Sequence, residues 1–326
     1  MPHEKVVAGI PVYNGEKFLV QRLENLLAFQ YSKLEILISD NNSQDSTQEI
    51  CKHFSKKNKK IKYVRQNTNI GADANFEFCL RNSNADYFFF AAHDDLHSSN
   101  YVEACVRSLR QNPDCTACYP KMRFMDEEGR SMTLPSKDAS IRIAPNDSVQ
   151  KKTRYFMLGP MGWLMYSFLN LKRLDSRLHQ IRKITEKMKN EYPWVLALLI
   201  TGKMCEAEDT YFTYRLRPKE IQKHQAPMPL EQRKSGITDI HQFLETIAEF
   251  SSSPKEERRN RRALLLGALQ SYGACKDWYQ MTKHWLTRDL LRSYLAQQQW
   301  DLVFFFLLMK IFKIKPLRIL LKQRIY

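Results

Sequence analysis

The sequence lacks any uncharged apolar run of 18 residues, so no segment reads as a membrane-spanning helix. The nearest approach, "LVFFFLLMKIF" at 302–312, is too short to span. The opening residues, "MPHEKVVAGIPVYN", have neither the basic start nor the long apolar core of a secretory leader, and none is expected. The seven cysteines (51, 79, 105, 115, 118, 205 and 275) are scattered and odd in number. That distribution argues against a disulfide scaffold and for a reducing compartment. "CTAC" at 115–118 has no second cysteine pair at zinc spacing, and residues three apart on a strand do not converge, so its role is expected to be structural. Internal repeats and low-complexity segments are absent. So is a glycine-rich phosphate loop: "GIPVYNGE" carries two glycines and no Arg or Lys, which weighs against a nucleotidyltransferase.

What the chain does have is a core-forming composition. Its 326 residues are 43% hydrophobic and 12% aromatic, enough to bury one large domain or two ordinary ones. The formal charge of +16 favours an acidic partner: a phosphorylated substrate, an anionic membrane surface or nucleic acid. A basic, non-enzymatic binding module is therefore an alternative, but it leaves the acidic loops described next without a purpose.

The first third alternates strand and helix signals. Strands are predicted over 5–12, 34–40, 61–65 and 86–92, and helices over 16–29, 44–57, 73–83 and 98–113. Repeated β-α-β units imply an α/β fold: a mostly parallel sheet with helices on both faces. Beyond Pro113 the pattern is mixed, with a strand or hairpin at 116–130, a helix at 146–159, a buried strand at 161–169 and an apolar helix at 193–203 closed by Gly202. From about 238 onward the signals are helical, with "SSSPKEERRNRR" (251–262) as a charged break.

Three polar stretches follow three of the strands: "PVYNGE" (11–16), "SDNNSQDST" (39–47) and "AHDDLH" (92–97). On a parallel sheet all three converge on the edge where open α/β sheets bind ligands. Carboxylates there can accept from base N–H groups and ribose hydroxyls. The adjacent Asp94 and Asp95 would repel one another unless a cation or a ligand relieved them, and Mg²⁺ or Mn²⁺ often keeps only one or two carboxylates. The competing reading has one of the pair capping the helix that starts near Ser98. For Tyr13 the competing reading is core packing. His93 and His97 flank the aspartates, but the loop has no further soft ligand for zinc.

"GIPVYNGEKFL", "EILISDNNSQDST", "NIGADANFEFCLRNSNADYFFFAAHDD" and "PWVLALLITGK" together resemble the family 2 glycosyltransferases of the GT-A fold, closely over 5–100 and loosely to 224. The resemblance implies inverting transfer of a sugar from a UDP- or GDP-sugar to an acceptor hydroxyl, with Mn²⁺ or Mg²⁺. It puts Pro11 and Tyr13 beside the base, Asp40 on a base N–H, Asp94 on the ribose and Asp95 on the metal. Asn14, Asn42, Asn69 and Gly71 lie in the matching stretches and are carried over as donor-binding. In "RLRPKEIQKH", Arg215, Arg217 and His224 fall where an Arg and a His face the diphosphate and its metal; a solvated charge run is the alternative. Glu191 in "KNEYPW" is the positional match for the base, with Glu186 behind it. Two departures stand out: Asn41-Asn42 replaces the usual Asp-Gly after Asp40, and Ala92 replaces an earlier aspartate.

The expected organisation is a GT-A domain over 1–235, with a nucleotide half (1–113) and an acceptor half (114–235), followed by a helical extension over 236–326. The tail "WDLVFFFLLMKIFKIKPLRILLKQRIY" sets an apolar helix beside clustered cations, the pattern of a helix lying on an anionic membrane; packing on protein or a partner subunit is the alternative. The expected setting is cytoplasmic, peripheral on the inner membrane face, with a glycan or lipid-linked acceptor in surface polysaccharide or glycolipid assembly. No nucleic-acid partner is expected, and oligomer formation is compatible with the sequence.

Overall fold

The computed structural model describes residues 4–133, 142–149, 151–152, 162–174, 192–218, 247 and 253–261. The chain divides into two compact units, one of 1–147 with 161–226 and one of 148–160 with 227–326.

In the first unit, β1 (Val6–Val12), β2 (Leu34–Asp40), β3 (Ile61–Arg65) and β4 (Tyr87–Phe90) pair in parallel in the order β3-β2-β1-β4. Their links are α1 (Glu16–Leu27), α2 (Thr47–Lys57) and α3 (Ala72–Arg81). The acidic loop follows β4 and leads into β5 (Leu96–His97), then α4 (Tyr101–Gln111), β6 (Cys115–Met125) and β7 (Ser131–Met132). β8 (Phe168–Asn170), α5 (Tyr192–Thr201) and the long β9 (Lys203–Arg215) complete the unit. Parallel pairing holds over β3-β2-β1-β4 and between β6 and β9, while β5, β7 and β8 add antiparallel contacts.

Apolar residues at both strand phases explain why both faces are covered. Val6, Ala8, Ile10 and Val12 of β1 share one core with Tyr87 and Phe89 of β4 and with Leu19, Leu23 and Leu26 of α1. The other phase carries Gly9 and Phe88, where an added Gly9 Cβ would sit 2.7 Å from the Phe88 ring and 2.9 Å from Cys79 of α3. Phe90 on that face meets Phe76 and Trp194, with ring centroids 5.0 and 6.2 Å away. Each fully buried aromatic of this kind contributes roughly 1.5–3 kcal/mol.

Two expectations need correction. The strand expected at 161–169 is a 3-10 turn over Gly162–Tyr166, closed by Ser167 N donating to Leu164 O, with strand only at Phe168–Asn170. Periodicity does not separate strand from turn in so short an apolar run. The charged "break" at 251–262 is helical over 254–261: Ser253 Oγ accepts from Glu256 N, and Pro254 occupies the first helical position, where its missing N–H costs nothing. Gly202 follows α5 as expected, and a Cβ there would lie 1.8 Å from Thr116 Oγ1, so the glycine is required by close approach to β6. The helix expected at 146–159 and the C-terminal amphipathic helix fall largely or wholly outside the described residues.

The cysteines at 115 and 118 are both buried in the same core as Cys105 and Cys205. A bulge between Cys115 and Ala117 shifts the register, which is how residues three apart come to share a face. Burial pushes the Cys118 thiol up, so it stays protonated, in line with a structural role.

Candidate active site

The three loops at the C-terminal ends of β1, β2 and β3 are stitched to one another by side chains. Asn14 and Asn42 both adopt left-handed backbone, φ 52° and 61°, a conformation that asparagine tolerates better than most residues. Asn14 N donates to Ser43 Oγ at 3.0 Å, and Asn14 Oδ1 accepts from Gln44 N at 2.9 Å. Gly15 N and Glu16 N reach Thr47 Oγ1 and Asp45 Oδ2 at 2.8 and 3.0 Å, so the first two loops form one surface. Asn41 ties in the third: its Nδ2 donates to Asn69 Oδ1 (2.9 Å) and Gly71 O (3.1 Å), and its Oδ1 accepts from Ile70 N (2.8 Å). Gly71 has φ 88° with open space around it, so conformation alone requires glycine there.

Asp40, the last residue of β2, is fully buried. Its Oδ1 accepts from Ser43 N at 2.8 Å; its Oδ2 accepts from Tyr63 OH at 2.9 Å and from Arg65 Nη1 at 2.8 Å. Arg65 Nη2 continues to Asn42 Oδ1 (2.7 Å) and Ser43 O (2.8 Å). A carboxylate has about four acceptor directions, and three are taken within the chain. Pro11 is buried beside Ser39 in the β1–β2 register. Tyr13 is 45% exposed, which removes core packing as the explanation of that ring.

The acidic loop adjoins this surface, since a Cβ on Gly15 would lie 3.0 Å from the His93 ring. Neither aspartate caps α4: the residue before that helix is Asn100, and no side chain caps its first turn. Asp94 is partly exposed, with Oδ2 3.2 Å from Arg217 Nη2 and Oδ1 3.9 Å from His93 Nδ1. Asp95 is 1% exposed, and its Oδ1 accepts from Arg215 N at 2.8 Å. Burial and the charge of Asp94 push the Asp95 carboxyl well above its ordinary range, against the pull of the Arg215 N–H and of Arg22. Behind the pair, Arg22 of α1 is fully buried, with Nη2 3.0 Å from His97 Nδ1 and Nη1 on Asn25 Oδ1 at 3.0 Å. Burial lowers its pKa to about 10, with Asp95 opposing, so it stays charged at neutral pH. His97, driven well below its ordinary pKa by burial and by Arg22, is turned into an aromatic cage and is no metal ligand.

Among the described residues no group of three or more His, Cys, Asp or Glu is arranged to hold a metal alone. The donors present suit a hard cation that takes one or two carboxylates and completes its shell from diphosphate and water. Two neighbouring carboxylates, one buried and raised by the other, are the electrostatic conflict that such a cation relieves.

Of the residues singled out in the sequence, Pro11, Tyr13, Asn14, Asp40, Asn42, Asn69, Gly71, Asp94, Asp95 and Arg217 lie on these joined loops or pair with them. Arg215 does not face outward; the chain consumes its guanidinium. Glu191, Glu186 and His224 lie outside the described residues. Sequence reasoning missed Tyr63, Arg65, Asn41 and Arg22. Arg65 ends the third strand at the same edge, and Arg22 interrupts the apolar stripe Leu19, Leu23, Leu26; both signals were there to read.

The model of glycosyl transferase family 2 matches residues 8–169, a span holding all four loops. The chain belongs to glycosyl transferase family 2. Among relatives of this family 2 chain, glycosyltransferase GlyA of Streptococcus pneumoniae serotype 4 is 30% identical over 126 residues, 39% of this chain but 18% of GlyA. The match thus spans less than a fifth of that relative's length. The crystal structure of S. aureus TarS 1–349 in complex with UDP-GlcNAc superposes with a TM-score of 0.61 at 13% identity, covering 95% of this chain and 91% of TarS 1–349. A mannosyltransferase from Pyrobaculum calidifontis, in complex with GDP-Man and Mn²⁺, superposes with a TM-score of 0.50 at 12% identity, covering 96% and 87%. At such identities the likeness is one of fold, and that fold is the GT-A type. Among the described residues no helix is long and apolar enough to cross a membrane.

Proposed function

We propose that this chain is an inverting glycosyltransferase that takes a sugar from a nucleoside diphosphate sugar to an acceptor hydroxyl. The observation that carries the reading is the joining of three strand-end loops into one rigid surface beside the Asp94–Asp95 pair. The exposed Tyr13 ring offers a stacking face for a base, while Asp40, fully buried and held by Ser43, Tyr63 and Arg65, braces the second loop. Asp94 is the partly exposed carboxylate suited to ribose hydroxyls, and Arg217, already paired to it, adds positive charge where a diphosphate would lie.

Asp95, with His224, would hold Mn²⁺ or Mg²⁺, which when bound neutralises the departing diphosphate. The chain's own part is electrostatic preorganisation: Arg22, Arg215 and Arg217 surround the pair and hold it in place before donor arrives. A carboxylate must take the acceptor's proton as its oxygen attacks the anomeric carbon, and Glu191 is proposed for that role. A peripheral cytoplasmic setting with a glycan or lipid-linked acceptor follows from the basic tail and is part of the same proposal. The parent reading is tested by titration calorimetry with UDP- and GDP-sugars, with and without Mn²⁺. Metal-enhanced binding of one of them is expected; no binding in any combination refutes it.

A further inference from the structure

We infer that Arg215 is the positioning residue of the acidic loop, clamping Asp94 and Asp95 to α1 and to the turn after β6 so that the Asp95 carboxylate is aimed. The inference rests on the donor reading above, since it takes Asp95 as the carboxylate that faces the metal.

Arg215 ends β9 and is 3% exposed. It grips both aspartates by different means: its backbone N donates to Asp95 Oδ1 at 2.8 Å, and its Nε donates to the carbonyl of Asp94 at 2.7 Å. The other end of the guanidinium is anchored on two further elements. Nη1 donates to Asp126 O (3.2 Å) and Glu127 O (2.9 Å), and Nη2 donates to Gln21 Oε1 (2.7 Å). Its Cζ sits over the Phe18 ring, 4.4 Å from the centroid. Four of the guanidinium's five N–H groups are therefore spent, on acceptors in three directions. Three of those four acceptors are backbone carbonyls, so the anchor points cannot drift with side-chain rotamers. A lysine ammonium, a compact point charge, cannot span them.

Among the described residues the cation has no carboxylate in direct contact, and its hydrogen-bonding acceptors are neutral. Its charge acts on Asp95 through space, while its backbone N–H commits Oδ1. Oδ2 would then be the oxygen left for a metal, and holding Oδ1 and the Asp94 carbonyl limits how the carboxylate can turn. Such outer partners of a metal carboxylate typically govern about 10–100-fold in metal affinity.

The test uses the full chain and whichever of UDP or GDP it binds. Mn²⁺ affinity is read by electron paramagnetic resonance at saturating nucleotide, nucleotide affinity by calorimetry in EDTA, and melting temperature in parallel. Arg215→Lys is expected to weaken Mn²⁺ binding by about 10-fold or more, a larger loss than any in nucleotide affinity measured in EDTA. Leu23→Ala, a core change of comparable or larger thermal cost, is expected to leave Mn²⁺ affinity at the parent value. Should Arg215→Lys not fold, Phe18→Leu with Gln21→Met loosens the clamp while keeping the arginine, and a several-fold loss is expected. A clamp variant that binds Mn²⁺ as the parent does, or a Leu23→Ala loss of equal size, overturns the inference alone. A parent that binds neither nucleotide nor Mn²⁺ overturns the donor reading and the clamp with it.

Discussion

Replacing Asp40 by Asn keeps the shape of a fully buried side chain and removes its charge, so it isolates what the carboxylate holds together. Ser43 N can stay on the amide oxygen, and the Tyr63 hydroxyl can turn its proton and accept from the new NH2. Arg65 has no such option, because an amide nitrogen now faces its Nη1 donor. Arg65 retains Asn42 Oδ1 and Ser43 O, and its side chain is 26% exposed, so water takes over part of the lost contact. A charge-assisted hydrogen bond is worth about 1.5–3 kcal/mol, and the screening at Arg65 selects the lower part of that range. The expected cost is about 2 kcal/mol, or roughly 4–8 °C in melting temperature for a unit of this size. Calorimetric melts of Asp40→Asn, Arg65→Met and the double variant measure it, with the double falling short of additivity by about 1 kcal/mol. A single-variant change under about 0.5 kcal/mol, or strict additivity, refutes the argument that this pair braces the second loop.

The exposed Tyr13 ring holds nothing in the core, so Tyr13→Ala should leave the melt within about 0.5 kcal/mol of the parent. It should cost about 1–2 kcal/mol of nucleotide affinity, read by calorimetry, since that is what a base stacked on an aromatic is worth. Gly202→Ala forces a methyl to within 1.8 Å of Thr116 Oγ1 and should destabilise by about 1–3 kcal/mol; a neutral result in a urea titration would show that α5 and β6 can part. Burial raises the Asp86 carboxyl, but the Lys172 ion pair at 2.7 Å and the Lys5 N–H at 2.8 Å outweigh it, leaving the pKa below its ordinary value. A depressed carboxylate stabilises above its unfolded pKa and loses that contribution as pH falls through the folded one. The melting difference between the parent and Asp86→Asn should therefore be full near pH 6–7 and fade as the pH falls through the depressed folded pKa; a difference independent of pH would refute the ion pair as its source.

The parallel half of the sheet and its loops could be read from the sequence because local signals there agree with one another. Each strand is a short β-rich run, each helix has one apolar stripe, and each polar stretch follows a strand end. The second half was less legible for equally physical reasons. Its strands pair antiparallel through residues far apart in the chain, as Phe88 with Leu169 and Leu96 with Thr213, and no local pattern announces such partners. The helix over 254–261 was hidden by its charge, which masked a Ser-Pro start signal that was present all along.

At the site, the sequence marks which residues carry chemistry but not which of them face outward. Asp94 and Asp95 look equivalent in a string of letters, as do Arg215 and Arg217. The backbone turns one of each pair inward, with Arg217 lying past the end of β9: Asp95 and Arg215 are buried and bonded to each other, while Asp94 and Arg217 are the more exposed and pair at the surface. The two aspartates can therefore stand side by side because their counter-charges come from different directions. Arg217 screens Asp94 from solvent's side, and Arg22 with Arg215 screens Asp95 from within. A buried arginine in the middle of an apolar helix is costly unless a carboxylate needs it. Arg22 is thus the residue whose presence in α1 is explained only by a loop 70 positions further along the chain, and that dependence is why the acidic pair could be noticed in the sequence but not accounted for there.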